Sequence, residues 1–240
     1  MSTAPYHLSE DSRSRLGLVV LQVDEVIEQD FRASLPQDVR LHVTRVGSGD
    51  ALTPQSIAKM KTGLTAAAAL LPPAAKFDVI GYACTSGTAL IGAAVAHDLI
   101  RLGARTAAVT DPMTAAVSMM KDKGISRIGI VSPYVADVAE PLAHAFEEEG
   151  IFAVRTVSFG EQIEAKVARI APDAIVAAAR NLAADGGLDG IFLSCTNLQT
   201  SEILAPLQSE LGLPVMSSNQ VLAWHMLRLA GPASGGRGQG

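Results

Sequence analysis

The sequence predicts an α/β protein built from two duplicated lobes, each with its own parallel sheet. Three observations lead there. Short Val/Ile/Leu runs alternate with Ala-rich stretches of helical period, as in repeated βα units. Hydrophobic residues make up 48% of the chain but aromatics only 4%, which points to the aliphatic interior of a layered α/β protein. Finally, the chain echoes itself. Leu16-Gly17-Leu18-Val19-Val20 returns as Ile128-Gly129-Ile130-Val131, the strand Asp78 to Thr85 returns as Asp189 to Thr196, and Leu102-Gly103 returns as Leu211-Gly212. Three echoes in order, each 109 to 112 residues apart, imply a duplicated unit of four βα modules. Glycine-bearing strands are common in any α/β protein. Two Asp-led strands that each end in Cys-Thr are not.

Taken in order, strands are expected at 16–22, 39–46, 77–83 and 105–110 in the first half. Those of the second half are expected at 127–133, 152–159, 189–194 and 213–218. Each is an apolar run bounded by polar or glycine-rich residues. Helices are expected at 53–71, 87–102, 136–149, 172–185, 199–211 and 219–230, where apolar residues recur at helical spacing. Met113, Met119 and Met120 read as the packed face of a further helix, with Lys121-Asp122-Lys123 its solvated end. Residues 15–112 then form the first lobe, with the C-terminal helix 219–230 added to it, and 113–218 the second. Polar residues 1–14 and Gly-rich 231–240 read as disordered tails.

Several function classes are excluded. The net charge of -5 is mild and its signs are interspersed, with no basic stripe for nucleic acid. The most apolar stretch, Ile80 to Ala96, is broken by Thr85-Ser86-Gly87-Thr88 and is too short to span a membrane. The polar N-terminus lacks a signal-peptide core, so a cytoplasmic setting is expected, in which the two cysteines stay reduced. There is no P-loop lysine and no GxGxxG after the first strand. His7, His42, His97, His144 and His225 show no metal-ligand spacing, so neither cofactor nor metal is expected.

The chemistry should sit at the carboxyl ends of the strands, where parallel sheets bind ligands. Cys84 and Cys195 both occupy that position, each after the third strand of its half. A pseudo-twofold axis would bring them face to face across a cleft. Each precedes a helix, whose N-terminal dipole should lower the thiol pKa. The residues that follow, Thr85-Ser86-Gly87-Thr88 and Thr196-Asn197, offer hydroxyls and backbone donors for a carboxylate. A lone free cysteine is often buried and inert, but both cysteines of the chain lie at matching strand ends. Two opposed thiols support two schemes on a small carboxylate-bearing substrate. One thiolate can take a proton from carbon while the other thiol returns one to the opposite face. Alternatively, a thiolate adds to a double bond, the bond rotates, and elimination gives the other geometric isomer. A non-catalytic small-acid binding protein is the remaining reading, although binding alone has no need of thiols.

The motifs Cys84-Thr85-Ser86-Gly87, Cys195-Thr196-Asn197-Leu198 and Val131-Ser132-Pro133-Tyr134 resemble signatures of the aspartate/glutamate racemase superfamily. Within it they are similar to the branch of maleate cis–trans isomerases and arylmalonate decarboxylases, over roughly residues 16–230. The resemblance implies two Rossmann-like lobes, an active-site cleft, no cofactor and a homodimer. It makes Cys84 the nucleophile or base, Cys195 the opposing proton donor or base, and Tyr134 a substrate contact. The decarboxylases keep only the second cysteine, which disfavours decarboxylation. One departure is informative: Leu21-Gln22-Val23-Asp24-Glu25 stands where maleate isomerases carry Pro-Ser-Ser-Asn. Asp24 would repel a dianion but hold an ammonium group, although as a residue it also reads simply as a helix N-cap. The family's second Asn is matched to Gln162. Together with Glu28-Gln29-Asp30-Phe31, this stretch resembles racemase-like proteins of ectoine utilisation, which implies racemisation of a diaminobutyrate derivative.

Overall fold

In the computed structural model, which describes residues 3–8 and 13–231, all eight strands form and divide into two four-stranded parallel sheets. The first contains β1 (Arg15–Leu21), β2 (Arg40–Val46), β3 (Phe77–Ala83) and β4 (Thr106–Thr110), in the order β2-β1-β3-β4. The second contains β5 (Arg127–Ser132), β6 (Phe152–Ser158), β7 (Gly190–Leu193) and β8 (Val215–Ser217), in the matching order β6-β5-β7-β8. Each strand lies within two residues of its expected limits. The inner strands β1 and β3 are buried almost end to end, which is why they read as unbroken apolar runs. The edge strands β2 and β6 are half-exposed and carry Arg and Thr.

The repeated sequence features have repeated structural jobs. Asp78 Oδ2 accepts the backbone N–H of Arg15 at 2.8 Å, tying the head of β3 to the start of β1. Asp189 Oδ2 likewise accepts the N–H groups of Ser126 (3.0 Å) and Arg127 (2.9 Å) at the start of β5. The glycines of β1 and β5 are close-approach sites. A Cβ would lie 2.9 Å from Ile80 Cγ1 at Gly17, and 2.9 Å from Leu188 Cδ1 at Gly129.

The helices are α1 (Ile27–Ser34), α2 (Pro54–Lys61), α3 (Leu64–Ala69), α4 (Thr85–Ile91), α5 (Ala93–Gly103) and α6 (Pro112–Lys123) in the first half. They continue with α7 (Ala136–Glu148), α8 (Glu164–Val167), α9 (Pro172–Ala184), α10 (Leu204–Leu211) and α11 (Ser218–Ala230). Three expected helices differ. The one at 53–71 is two, broken around Thr62-Gly63, and the one at 87–102 is two, broken at Gly92 with φ +89°. The one at 199–211 starts only at Leu204, because the chain after Cys195 runs through turns across the site. Helix α11 follows β8 of the second sheet yet buries Leu222, Ala223 and Met226 among Leu16, Leu18, Val79 and Phe31 of the first half, so it straps the halves together. Most of the tails expected over 1–14 and 231–240, namely 1–2, 9–12 and 232–240, lies outside the described residues. Among the described residues no helix is long and apolar enough to cross a membrane.

Candidate active site

Both cysteines lie at the carboxyl ends of third strands and both are buried, Cys84 at 2% and Cys195 at 3% exposure. Cys84 caps α4: its Sγ accepts the Gly87 N–H at 3.1 Å, and Ser86 Oγ stands 3.7 Å away. Gly87 is obligatory here, since a Cβ would come within 2.3 Å of the Tyr82 hydroxyl and 2.7 Å of Cys84 Sγ. The Cys195 Sγ accepts the Asn197 N–H at 3.4 Å. Each thiol has a buried tyrosine hydroxyl at its side that favours the thiolate, Tyr82 for Cys84 and Tyr134 for Cys195. Tyr134 senses the charge of both cysteines, so both thiols lie near its hydroxyl.

The expected lowering of the thiol pKa does not occur. Burial pushes Cys84 up to about 11, more than Ser86, Gly87 and Tyr82 can offset. Burial and then the Glu164 carboxylate push Cys195 well above the ordinary thiol range. At Cys84 a seven-residue helix start cannot outweigh loss of solvent, and Cys195 has no helix start behind it, since α10 begins only at Leu204.

The Cys195 loop is held from both halves. Ser218 Oγ accepts the Cys195 N–H at 3.1 Å and pairs with Thr85 Oγ1 at 2.9 Å, linking the loops after β3 and β7. Thr196 Oγ1 reaches the Ala83 carbonyl at 3.4 Å, and Asn219 Nδ2 donates to the Thr196 carbonyl at 2.9 Å. Asn197 is fixed at both ends: its Oδ1 accepts the Glu25 N–H at 2.9 Å and its Nδ2 donates to Glu164 Oε2 at 2.6 Å.

This clamp keeps Cys195 at φ +126°, the only positive φ of a non-glycine residue among the described residues. Such a backbone costs about 1–3 kcal/mol and persists only where the surroundings over-determine it. A Cys195→Gly variant is therefore expected to melt about 2–4 °C above Cys195→Ala, the reverse of the usual Ala-over-Gly order. Differential scanning calorimetry of the pair checks this. A more stable alanine variant would show that the backbone is not strained.

Asp24 is buried, 3% exposed, and its charge is felt at Cys195 and Glu164. Its Oδ1 accepts the N–H groups of Val26 and Ile27, both at 2.9 Å, and so holds the turn that leads into α1, whose N-cap is Val26. Its Oδ2 is buried without a hydrogen-bond partner. Burial raises its pKa, partly offset by the two N–H groups, the neighbouring Thr196 hydroxyl and Arg45. The N-cap position expected for Asp24 falls to Val26; Asp24 holds the preceding turn with one oxygen and leaves the other unused.

Thr85, Ser86, Tyr134, Thr196 and Asn197 all gather around the thiols, as the sequence suggested. Gln162 does not. Its side chain is exposed, and its carbonyl accepts the Leu52 N–H at 2.9 Å in a short pairing of 50–52 with 162–164. The residue this pairing delivers to the site is Glu164, 1% exposed, its Oε2 on Asn197 and its Oε1 buried and unpartnered. Burial and the charge of Asp24 raise its pKa to about 7 against the pull of Asn197. Glu164, Tyr82 and Ser218 were not legible as site residues. The histidines stay outside: His97 pairs with Asp111 at 2.7 Å and His225 with Thr110 at 2.8 Å.

Two buried thiols from equivalent strand ends, clamped between two half-molecules, are also matched at the level of family. The family model for arylmalonate decarboxylase covers residues 34–240. The chain belongs to the arylmalonate decarboxylase family. Similarity within this family runs in two directions. Arylmalonate decarboxylase of Bordetella bronchiseptica is 32% identical over 123 residues, about half (51%) of each chain. Maleate isomerase of Nocardia farcinica is 25% identical over 230 residues, 89% of each. The solved maleate isomerase Iso of Pseudomonas putida S16 superposes with a TM-score of 0.78 at 20% identity, covering 90% of this chain and 92% of that one. A cysteine-to-serine mutant of the Nocardia farcinica isomerase, carrying a covalently bound succinylcysteine intermediate, superposes equally well, at 0.78. The two-sheet α/β fold is that of the maleate isomerase and arylmalonate decarboxylase structures.

Proposed function

We propose that this chain is a cofactor-independent, two-cysteine isomerase that racemises or epimerises a small amino acid or amino-acid derivative. The α-carbon sits between the thiols. One sulfur, as thiolate, takes the Cα proton: the C–H bond breaks, an S–H bond forms, and the electron pair passes into the substrate carboxylate. The opposite thiol then delivers its proton to the other face, its S–H bond breaking as the new C–H bond forms. Thr85, Ser86 and Thr196 hold the carboxylate and Asp24 the ammonium group, while Asn197, its amide spent on Glu164 and Glu25, fixes the loop that carries Cys195. The resemblance of Leu21 to Phe31 extends the substrate class to diaminobutyrate derivatives. The observation that carries this reading is the unpartnered Oδ2 of Asp24, a buried carboxylate oxygen whose charge is felt at the Cys195 thiol.

Maleate-type cis–trans isomerisation is the second reading, favoured by the long match to the Nocardia farcinica enzyme. There Cys84 adds to the alkene and Cys195 supplies the proton. The test is ¹H NMR in D₂O with maleate, both enantiomers of aspartate, glutamate and 2,4-diaminobutyrate, and N-acetyl-diaminobutyrates. Loss of an α-proton signal is expected for both enantiomers of one substrate, and Cys84→Ser should abolish it for the enantiomer whose α-proton faces Cys84. Conversion of maleate to fumarate with no α-exchange would replace the racemase reading by the second one.

A further inference from the structure

The mechanism above uses Asp24 but leaves Glu164 without a task, although Glu164 is the most deeply buried carboxylate at the thiols. Its surroundings define what it can meet. Because Asn197 Oδ1 is taken by the Glu25 N–H, the Asn197 amide must turn its NH₂ toward Glu164, so Oε2 is satisfied as an acceptor. Oε1 has no donor, and neither has Asp24 Oδ2. The two carboxylates are close enough that the charge of Asp24 disfavours ionisation of Glu164. Among the described residues no cation bonds to either carboxylate, although the charge of Arg45 is felt at Asp24. Arg45 spends its guanidinium on the carbonyls of Leu21, Gln22 and Asp24 and on Glu28, and Arg169 is held by Glu25. Two buried, unpaired anionic oxygens are costly unless a ligand supplies the missing donors.

We propose that Glu164 is the specificity-determining residue of the site: its Oε1, together with Asp24 Oδ2, accepts the N–H donors of a substrate ammonium group, so that the cleft admits an ammonium-bearing acid and turns away a dicarboxylate. This rests on the two-cysteine reading only for where the reacting carbon lies. It adds a consequence for the thiols. The groups that face Glu164 are Asp24 before α1, Cys84 after β3, Tyr134 after β5, and Cys195 and Asn197 after β7. The Glu164 charge opposes ionisation of both thiols, so an ammonium seated on it eases formation of the thiolate that the reaction requires. The occupied site is the one primed to react.

The experiment is isothermal titration of the full chain, wild type and Glu164→Gln, with maleate and with the enantiomers of 2-aminobutyrate, aspartate, glutamate and 2,4-diaminobutyrate. It is run at about pH 6 and about pH 8, either side of the Glu164 titration near 7. The wild type is expected to bind at least one ammonium acid, about tenfold more tightly at the higher pH, and to bind maleate more weakly there. Glu164→Gln should lose at least about tenfold for the ammonium acid at the higher pH, flatten both pH trends and gain affinity for maleate. Glu164→Asp, which keeps the charge, should keep the order of preference and covers the case in which the glutamine variant fails to fold. Equal selectivity and equal pH trends in wild type and variant overturn the proposal, as does a wild type that binds no ammonium acid. Ammonium binding that depends on Glu164 without any α-exchange would sink the racemase reading and keep this one. α-Exchange with selectivity independent of Glu164 would do the reverse.

Discussion

Replacing Cys84 by serine is expected to lower the rate of isomerisation by about 10²–10⁴-fold, the range over which a positioned acid–base group contributes. Cys195→Ser should cost a similar factor, because the reaction as proposed needs one group on each face of the substrate. Serine is close to isosteric, so the hydrogen bonds to Gly87 and Asn197 can persist, and the loss would be chemical. No histidine stands by to activate a hydroxyl, since His97 and His225 are committed to Asp111 and Thr110. The single variants should also separate the two faces. With one thiol remaining, solvent exchange into the α-position survives for the enantiomer whose α-proton faces that thiol and is lost for the other. Following α-deuteration of each enantiomer by ¹H NMR checks both points. Retention of more than about a third of wild-type turnover in either variant would remove that cysteine from the mechanism.

The strands and the duplication were legible because both are written in local pattern. Inner strands of a parallel sheet are buried on both faces and read as apolar runs, and the aspartates at the heads of β3 and β7 repeat because each ties down the first strand of its half. The paired cysteines were legible for the same reason. What was missed depends on contacts across the chain. Glu164 sits in the polar stretch Gly160 to Lys166, where nothing local marks it as buried; the pairing of 50–52 with 162–164 and the Asn197 amide put it there. The exposed Gln162 and the buried Glu164 lie only two residues apart, and sequence alone does not tell them apart. Tyr82 reads as an ordinary core aromatic until the turn at Gly87 brings its hydroxyl to Cys84. The expected lowering of the thiol pKa values fails for two different reasons: at Cys84 the helix start is local and weak against total burial, and after Cys195 no helix begins until Leu204.

Glu164→Gln is expected to raise stability at neutral and alkaline pH while it weakens ammonium binding. An unfolded glutamate titrates near its ordinary value of about 4.3, whereas burial raises the folded-state pKa to about 7. Between those values the native state holds the proton more tightly than the unfolded chain does. The contribution of Glu164 to stability is therefore fully present below the unfolded value and is lost as pH rises toward 7. At about 1.4 kcal/mol per unit, the loss by pH 8 is about 3–4 kcal/mol in the empty site. Glutamine has nothing to ionise: its carbonyl can keep the bond to Asn197, and its amide N–H would face the charge of Asp24. Its melting temperature should exceed that of the wild type by roughly 5–10 °C at about pH 8, and the two should converge near pH 5. Calorimetry across that range checks the sign. A glutamine variant less stable than wild type at pH 8 would mean that the carboxylate is there to hold Asn197 and the Cys195 loop. A more stable variant that has lost its preference for ammonium acids identifies a charge kept buried against the stability of the fold, which is intelligible only if a cationic ligand completes it.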